Sequence, residues 1–469
     1  ADDRGDVLVE LASPLPAPVR DGERSEQPSQ YSESAAALLT KACADLGDRA
    51  AAVRAVCVTG TSGTIVPCDA RGVPTGNAVL YDDRRAHVEA DLLRTSSPAP
   101  PATAALIAAP TSTLARLGWL AAHASAALYL HTSDVVATML LGRVAATDTS
   151  HALKAGVDPV LAEWDTELLD AVGVPRRSLP DLVHPGTALG TIDTGVARDL
   201  GLPADVTVIA GMTDGCTGQL AAGAVADGDT VGVLGTTLVV KAVSTTPVIG
   251  FDGAVYSHYA PDGRFWAGGA SNVGAGVLNT EYGDVGLSEL DRAAERSRPH
   301  AVRYPLPGQG ERFPFTDADV RGFTAGEVPD RASAFRVLLE GVAFTERLGL
   351  ETLNRLGIRS DTHRVAGGAS ASPVWNRIRA SVLNRTLLRP QRPSSAFGAA
   401  VLASAGATGE PLADVTARMV GVAERIEPDP EQTERLDERY RTLLDELRDR
   451  GLLQAQASGE TTTGGELPC

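Results

Sequence analysis

Short apolar runs rich in β-branched residues alternate with longer helical runs along most of this chain, and this alternation limits the possible folds most strongly. The β-rich runs include Ala55–Thr59, Val206–Ala210 and Thr230–Leu234, and the longest helical run is Ser333–Leu356. Such alternation predicts an α/β fold. At 469 residues the chain is too long for one ordinary core, so we expect two domains of roughly 200 residues each.

Composition excludes several classes of protein. Hydrophobic residues make up 43% of the chain, enough to fill cores, and the formal net charge is −17. So acidic a surface repels phosphate backbones and anionic lipid, and we expect no nucleic acid and no membrane partner. Five scattered cysteines without a CxxC pair, no apolar run of 18 residues and no signal-like start predict a reduced, cytoplasmic protein.

A single carboxylate follows an apolar strand in the stretch VIAGMTDGCTGQLAAGA, residues 208–224. The strand runs into Gly211, Asp214 comes three residues later, and small residues follow it. A strand that passes directly into a helix leaves the first helical side chains at a crevice. Asp214 is therefore a candidate functional carboxylate, and the plainer alternative is a helix N-cap, where Asp is favoured.

Four further stretches combine glycine with hydroxyl or charged side chains. TGTSGT (Thr59–Thr64) ends a strand and has no bulky side chain that would block a polyol, while LYDDRRA (Leu80–Ala86) on its own is typical of a salt-bridged surface loop. GTT (Gly235–Thr237) joins two β runs, and GGASASPVW (Gly367–Trp375) joins a strand to a helix. Backbone N–H groups in such turns can surround a phosphate. Neither GxGxxG nor GK[ST] is present.

The order of these stretches along the chain resembles the FGGY family of carbohydrate kinases, from about residue 3 to Gly406. The resemblance implies a two-domain α/β fold of the actin/hexokinase-like ATPase type, with ribonuclease H-like domains and a cleft between them. It implies an N-terminal sugar-binding domain (1–226), a C-terminal nucleotide-binding domain (227–406) and a helical segment that packs back on both (407–455). Residues 456–469 are expected to form a disordered tail.

The resemblance also implies roles for particular residues. Asp214 fits the general base of the family and a ligand of Mg²⁺. The sugar is expected near Thr61, Ser62, Gly63, Asp83, Arg85 and Asp214. The ATP phosphates are expected near Gly235, Thr236 and Thr237, and the nucleoside near Gly368, Ala369, Ser372 and Trp375. The expected ligands are thus a small sugar, ATP and Mg²⁺, bound by a monomer or homodimer.

Within the family, the stretches TGTSGTIVPCD, YDDRRA, DTSHALK and GTTLVVK look most like the D-ribulokinase-type branch. Ser62-Gly63 stand where xylulokinases usually have Met-His and glycerol kinases Arg-Glu. D-ribulose is therefore the expected substrate, and xylulose or another polyol is the alternative.

One motif of the family is missing from the printed sequence. Family members normally begin with a strand that carries Asp-x-Gly-Thr and binds the ATP phosphates, and residues 1–60 contain no such stretch. We favour a sequence that is cut short. The other interpretations are a real loss, which would leave a non-catalytic sugar-binding protein, and a substitute acid, for which there is no candidate. As printed, the chain is expected to be a poor kinase.

Overall fold

The computed structural model describes residues 1–96, 106–250, 253–283 and 287–453. The predicted disordered tail, residues 456–469, lies outside these ranges. Within them, no helix is both long and apolar enough to cross a membrane.

The first half of the chain builds small sheets and the helices that cover them. Its strands are β1 (Val19–Asp21), β2 (Arg24–Gln27), β3 (Ala55–Cys57), β4 (Ile65–Cys68), β5 (Ala78–Val79), β6 (Leu128–His131), β7 (Thr147–Asp148), β8 (Val157–Asp158), β9 (Glu163–Trp164), β10 (Leu182–Val183), β11 (Ala188–Thr191) and β12 (Thr207–Ile209). Its helices are α1 (Tyr31–Leu46), α2 (His87–Ser96), α3 (Thr113–His123), α4 (Thr132–Leu141), α5 (Thr166–Ala171), α6 (Thr194–Leu200) and α7 (Asp214–Ala221).

Two of these sheets bring the predicted site residues together. One has the antiparallel order β1-β2-β5-β4-β6, and the other has the order β11-β12-β3. Strands β12 and β3 run parallel, and a bridge between Gly60 and Thr213 extends their pairing. Because parallel strands end at the same edge of a sheet, the stretch Thr59–Thr64, here called the hydroxyl turn, meets the start of α7.

The second half of the chain is built on one larger sheet. Its strands are β13 (Asp229–Leu234), β14 (Leu238–Ser244), β15 (Tyr256–Tyr259), β16 (Phe265–Ser271), β17 (Val302–Glu311), β18 (Asp317–Ala325), β19 (Thr362–Ala366), β20 (Leu387–Pro390) and β21 (Val422–Ile426). Its helices are α8 (Gly276–Tyr282), α9 (Leu287–Arg296), α10 (Arg331–Arg355), α11 (Pro373–Leu383), α12 (Ser395–Thr408), α13 (Leu412–Met419) and α14 (Pro430–Asp449).

The larger sheet has the strand order β15-β16-β14-β13-β19-β20-β21. Its central pair, β13 and β19, runs parallel, with Val233 opposite Ala366. The stretches Gly235–Thr237 and Gly367–Ala371, here called the glycine turns, therefore leave the sheet at the same edge. Helix α11 starts just beyond the second turn, where Ser372 accepts a hydrogen bond from the N–H of Trp375 and Pro373 occupies the first helical turn.

The two halves share a core beside the start of α7. Met212, Cys216 and Leu220 from the first half pack with Trp266 and with α12 residues such as Phe397 in one buried cluster. Helix α12 contacts α7, β3 and β12 although it lies far along the chain. The loop between α7 and β13 contains residue 226, the predicted domain boundary.

Candidate functional site

Asp214 is the first residue of α7, and Thr213 occupies the N-cap position, so the carboxylate does not cap the helix as the plainer interpretation had it. Its backbone N–H donates to the carbonyl oxygen of Gly60 at 2.8 Å. On the other side, the Ser395 hydroxyl donates to the Asp214 carbonyl oxygen at 2.9 Å. The backbone of Asp214 is therefore held by the hydroxyl turn and by α12 together.

The Asp214 side chain remains open to solvent. One carboxylate oxygen accepts the N–H of Gly215 at 2.6 Å. Crowding by surrounding protein atoms raises the pKa of this carboxyl, and the Gly215 N–H and the charges of His151 and Lys241 partly offset the rise. An exposed carboxylate whose pKa is raised is a stronger proton acceptor than an ordinary surface aspartate.

The hydroxyl turn is tied to the start of α7 by side chains as well. The Thr59 hydroxyl donates to the Met212 carbonyl oxygen at 2.7 Å, and the hydroxyls of Thr61 and Thr64 share a hydrogen bond of 2.7 Å. Ser62 Oγ is buried without a hydrogen-bond partner among the described residues. A buried hydroxyl without a partner is costly, so a hydrogen bond to this oxygen would be stabilising.

Gly63 is required by the shape of the hydroxyl turn. Its φ is +84°, and a Cβ there would lie 2.4 Å from Thr113 Oγ1 and 2.9 Å from Arg116 Nη2. The buried Arg116 guanidinium donates to the carbonyl oxygens of Gly63 and Leu80, at 2.6 Å each. No side chain fits at residue 63 in this conformation.

The predicted sugar residues Asp83 and Arg85 form a buried ion pair. Arg85 donates to both carboxylate oxygens of Asp83, at 2.7 and 2.8 Å, and Asp83 also accepts the N–H of Ser25. The Asp83 side chain is fully buried, and Arg85 contacts Glu26 and the ring of Trp119. The contacts formed here are structural, and a role of this pair in shaping the sugar site stays a prediction.

Both glycine turns offer open backbone. A Cβ on Gly368 would meet no atom within 4 Å, and one on Gly235 would meet only the Thr237 carbonyl oxygen at 3.9 Å. Thr236 is exposed and Thr237 is half-buried. A pocket of about 430 Å³ lies beside the second turn, and its lining includes Gly367, Gly368, Ser370, Ala371, Arg392 and Ser394. This volume is within the range of small-ligand sites.

Three residues predicted near the nucleoside do not line this pocket. Trp375 is buried in the core, and its indole N–H donates to the Leu339 carbonyl oxygen at 3.0 Å. The Ser372 hydroxyl donates to Asp291 at 2.8 Å, and Ala369 packs partly buried against the core. In the structure these three residues support the turn and the start of α11.

Sequence reasoning missed several polar residues around Asp214. Asp148 ends β7, Ser150 and His151 follow it, and Lys241 lies on β14. The buried Lys241 Nζ donates to Cys216 Sγ at 2.9 Å in the first turn of α7, and it has no ion pair within the described ranges. Only the fold brings these residues to α7, and the signals that the sequence offered are the stretches DTSHALK and GTTLVVK, which contain them.

The described residues hold no group of three or more His, Cys, Asp or Glu side chains that could bind a metal by themselves. Mg²⁺ in proteins is often held by one or two carboxylates together with substrate phosphates and waters. The single exposed carboxylate of Asp214 fits such a partial protein contribution.

Comparisons with known proteins agree on one family. Models of the N-terminal and C-terminal domains of the FGGY family of carbohydrate kinases match residues 3–221 and 230–407. A xylulose kinase of Staphylococcus epidermidis is 27% identical over 262 residues, which are 53% of this chain and 52% of that protein. The chain thus spans about half the length of such curated relatives.

Solved structures share the architecture over almost the whole chain. The xylulose kinase from Rhodospirillum rubrum superimposes with a TM-score of 0.81 at 25% identity, covering 93% of this chain and 92% of that one. The gluconate kinase from Lactobacillus acidophilus gives a TM-score of 0.85 at 17% identity, covering 95% and 94%. With both domain models matched in order on the two-domain α/β fold, the chain belongs to the FGGY family of carbohydrate kinases.

Proposed function

We propose that this protein transfers the γ-phosphoryl group of ATP to a hydroxyl of a ketopentose, and that D-ribulose is the preferred sugar. The observation that carries the proposal is the exposed carboxylate of Asp214, a residue whose backbone is held between the hydroxyl turn and α12. Family membership supports the reaction class, and the substrate is inferred from the residues around Asp214.

In the proposed reaction, Asp214 takes the proton of the attacking sugar hydroxyl. A new bond forms between that oxygen and the γ-phosphorus, the bond from phosphorus to the β,γ-bridging oxygen breaks, and ADP leaves with the electron pair. A positioned carboxylate contributes roughly 10²–10⁴-fold to such a proton transfer. Burial raises the pKa of Asp214, and this makes its carboxylate a better proton acceptor than an ordinary surface aspartate.

The glycine turns are proposed to bind the nucleotide. The open backbone at Gly235 and Gly368 lets phosphate oxygens and a flat ring approach the main chain closely. Asp214 would contribute to holding Mg²⁺, which supplies charge neutralisation on the transferring phosphoryl oxygens when it is bound. Thr236 and Thr237 add hydroxyl donors at the first turn.

The D-ribulose assignment rests on Ser62 and Gly63. The unpartnered Ser62 hydroxyl can hydrogen-bond a sugar hydroxyl, and a site of this kind rejects analogues that leave the buried group unpaired. The steric limit at Gly63 excludes the histidine of the Met-His pair that is usual in xylulokinases. The sugar-facing wall is therefore smaller and more polar than in the xylulokinase pattern.

D-Xylulose is the second candidate, because relatives found by sequence and by structure are named xylulose kinases. A third candidate is a non-catalytic sugar-binding protein on the same fold.

The test is ADP release with Mg·ATP in excess, across D-ribulose, D-xylulose and glycerol, using protein expressed from its complete gene. Sugar binding is measured in parallel by calorimetry. We expect the highest kcat/KM with D-ribulose. A tenfold preference for D-xylulose would contradict the substrate and keep the kinase. Sugar binding without ADP release would favour the non-catalytic alternative.

A further inference from the structure

The segment Asp148–His151, which begins at the last residue of β7, forms a compact buried turn. One oxygen of the Asp148 carboxylate accepts the backbone N–H groups of Ser150 and His151, both at 2.9 Å. The other oxygen lies 2.5 Å from His151 Nδ1. Both side chains are almost completely buried. The imidazole ring is thereby fixed in one orientation.

The second ring nitrogen of His151 points at the hydroxyl turn. Nε2 lies 3.3 Å from the carbonyl oxygen of Gly60, the same oxygen that accepts the Asp214 N–H at 2.8 Å. Carboxylate and carbonyl oxygens only accept hydrogen bonds, so an imidazolium can donate to both at once. Burial alone lowers the pKa of His151, but the Asp148 and Asp134 carboxylates outweigh it and the pKa is raised, which favours this form.

The same segment makes a second contact with the turn before α7. Ser150 Oγ accepts the backbone N–H of Thr213 at 3.3 Å, and it also lies 3.0 Å from His258 Nδ1 on β15. Two consecutive peptide N–H groups, of Thr213 and Asp214, are thus set by neighbouring residues of one segment, the first directly and the second through Gly60.

Gly60 is closely packed between the segment Asp148–His151 and its other neighbours. A Cβ on Gly60 would lie 2.9 Å from Thr132 Oγ1 and 3.7 Å from His151 Nε2. Its carbonyl oxygen is therefore held by close packing on one side and by two donors on the other.

We propose that the segment Asp148–His151 positions the Asp214 carboxylate, with His151 acting through the Gly60 carbonyl oxygen and Ser150 through the Thr213 N–H. The inference rests on the proposed function, in which Asp214 is the base. Neither side chain needs to touch the sugar. Misplacement of a reacting group by about 1 Å can cost on the order of 10²-fold in rate, so loss of this support is expected in kcat.

Two variants of His151 separate positioning from simple structural support. His151→Gln places an amide donor near Nε2 and keeps the contact with Gly60. His151→Asn keeps a donor near Nδ1, toward Asp148, and does not reach Gly60. We expect His151→Asn to lower kcat roughly 10–100-fold with KM for sugar and ATP within about threefold of wild type, and His151→Gln to recover kcat to within about threefold. The control is His123→Gln, on an exposed histidine stacked on Trp119.

Equal losses in the two folded variants would overturn the inference, because a merely structural role does not distinguish them. Wild-type kcat in folded His151→Asn would overturn it too. If His151→Asn does not fold, Ser150→Ala decides, with a kcat lowered about 3–10-fold and unchanged KM as the expected result and unchanged kcat as the contrary one. A wild-type protein that phosphorylates no sugar contradicts the proposed function instead.

Discussion

A buried network of charged side chains lies beneath each of the two groups of turns. One network is enclosed in the core, and the other connects to an exposed carboxylate. Beneath the glycine turns, Glu346 pairs with Arg379 at 2.6 and 2.7 Å and with His363 at 3.1 Å, and Arg379 also donates to the Gly232 carbonyl oxygen. These three side chains are all at most 1% exposed. Beneath the hydroxyl turn, the Asp148–His151 pair contacts the Gly60 carbonyl oxygen, which also accepts the N–H of the exposed Asp214.

The difference indicates that the Glu346 network stabilises the fold, whereas the Asp148–His151 network lies next to the candidate catalytic residue. In the Glu346 network the carboxylate, the guanidinium and the imidazole pair with one another inside the protein, and Arg379 Nη1 alone has no hydrogen-bond partner among the described residues. The network joins β13, β19, α10 and α11. Gly232 shows how tightly this network is fitted, because a Cβ there would lie 1.7 Å from Glu346 Oε1. The Asp148–His151 network instead directs a buried charge toward a carboxylate that reaches solvent.

The largest effect is expected from a substitution of Asp214, the exposed residue of the Asp148–His151 network. Asp214→Asn keeps the shape of the side chain but removes the base, so kcat should fall by about 10²–10⁴-fold. Calorimetry should still detect ATP and sugar binding, which shows that the variant is folded. Turnover within threefold of wild type would mean that Asp214 is not the base.

The next largest effect is expected from a substitution in the buried Glu346 network. Arg379→Met leaves Glu346 buried without its main partner, and the free energy of unfolding should fall by about 3–5 kcal/mol in denaturant titrations. Arg377→Met is the matched control on the same helix, because Arg377 forms an exposed pair with Glu295. It should change the free energy by less than about 1 kcal/mol. Similar losses in both would contradict the contrast.

The same network predicts a pH dependence. Burial alone would raise the pKa of Glu346, but Arg379 and His363 outweigh it and lower the pKa to about 2. A carboxyl group whose pKa is lower in the folded than in the unfolded protein stabilises the fold at pH values above its unfolded pKa. This stabilisation is lost as the pH falls from about 5 toward 2. Glu346→Gln should flatten this part of the curve of unfolding free energy against pH. A curve of unchanged shape would count against the pair.

A smaller effect sharpens the comparison within one glycine turn. Gly367 has φ +87° and a Cβ there would lie 2.4 Å from the Leu234 carbonyl oxygen, whereas Gly368 faces open space. Gly367→Ala should therefore lower the unfolding free energy by about 1–3 kcal/mol. Gly368→Val should lower it by less than about 1 kcal/mol and weaken ATP binding instead. Unaltered ATP affinity in Gly368→Val would remove this turn from the nucleotide site.

The smallest effect concerns the sugar. Ser62→Ala removes one unpartnered hydroxyl, and the preference for D-ribulose over D-xylulose in kcat/KM should fall by about 3–10-fold. Thr64→Ala serves as the control, because that hydroxyl already pairs with Thr61. An unchanged preference in Ser62→Ala would leave the sugar choice to other residues.

Sequence patterns predicted the elements that have a clear period or end signal. Strand β13 and helix α10 agree to within two residues with the runs Thr230–Leu234 and Ser333–Leu356 expected from the sequence. Helix α12 was missed, since SAFGAAVLASAGAT is small and apolar on nearly all sides and shows no amphipathic period. It is buried because it packs on both halves.

The site was predictable where one stretch carries its own chemistry. Asp214 and the glycine turns lie in such stretches, at strand ends. His151 and Lys241 could not be assigned from sequence, because their roles depend on contacts with residues distant along the chain. His151 lies against Gly60, 91 residues earlier, and Lys241 donates to Cys216, 25 residues earlier. Trp375 was placed at the nucleoside from its position in a motif, whereas its large apolar ring is buried in the core.

Arg116 has a consequence for how the proposed sugar site can change during evolution. Its guanidinium binds carbonyl oxygens of three separate segments, at Gly63, Leu80 and Thr111, so its loss would release all three together. A bulkier residue at 63 requires prior substitution of Arg116 and Thr113. Proteins with those first substitutions alone would be less stable and would gain no change at residue 63. Selection acting by single substitutions therefore has access to Ser62, while residue 63 is reachable only through a coordinated, epistatic path.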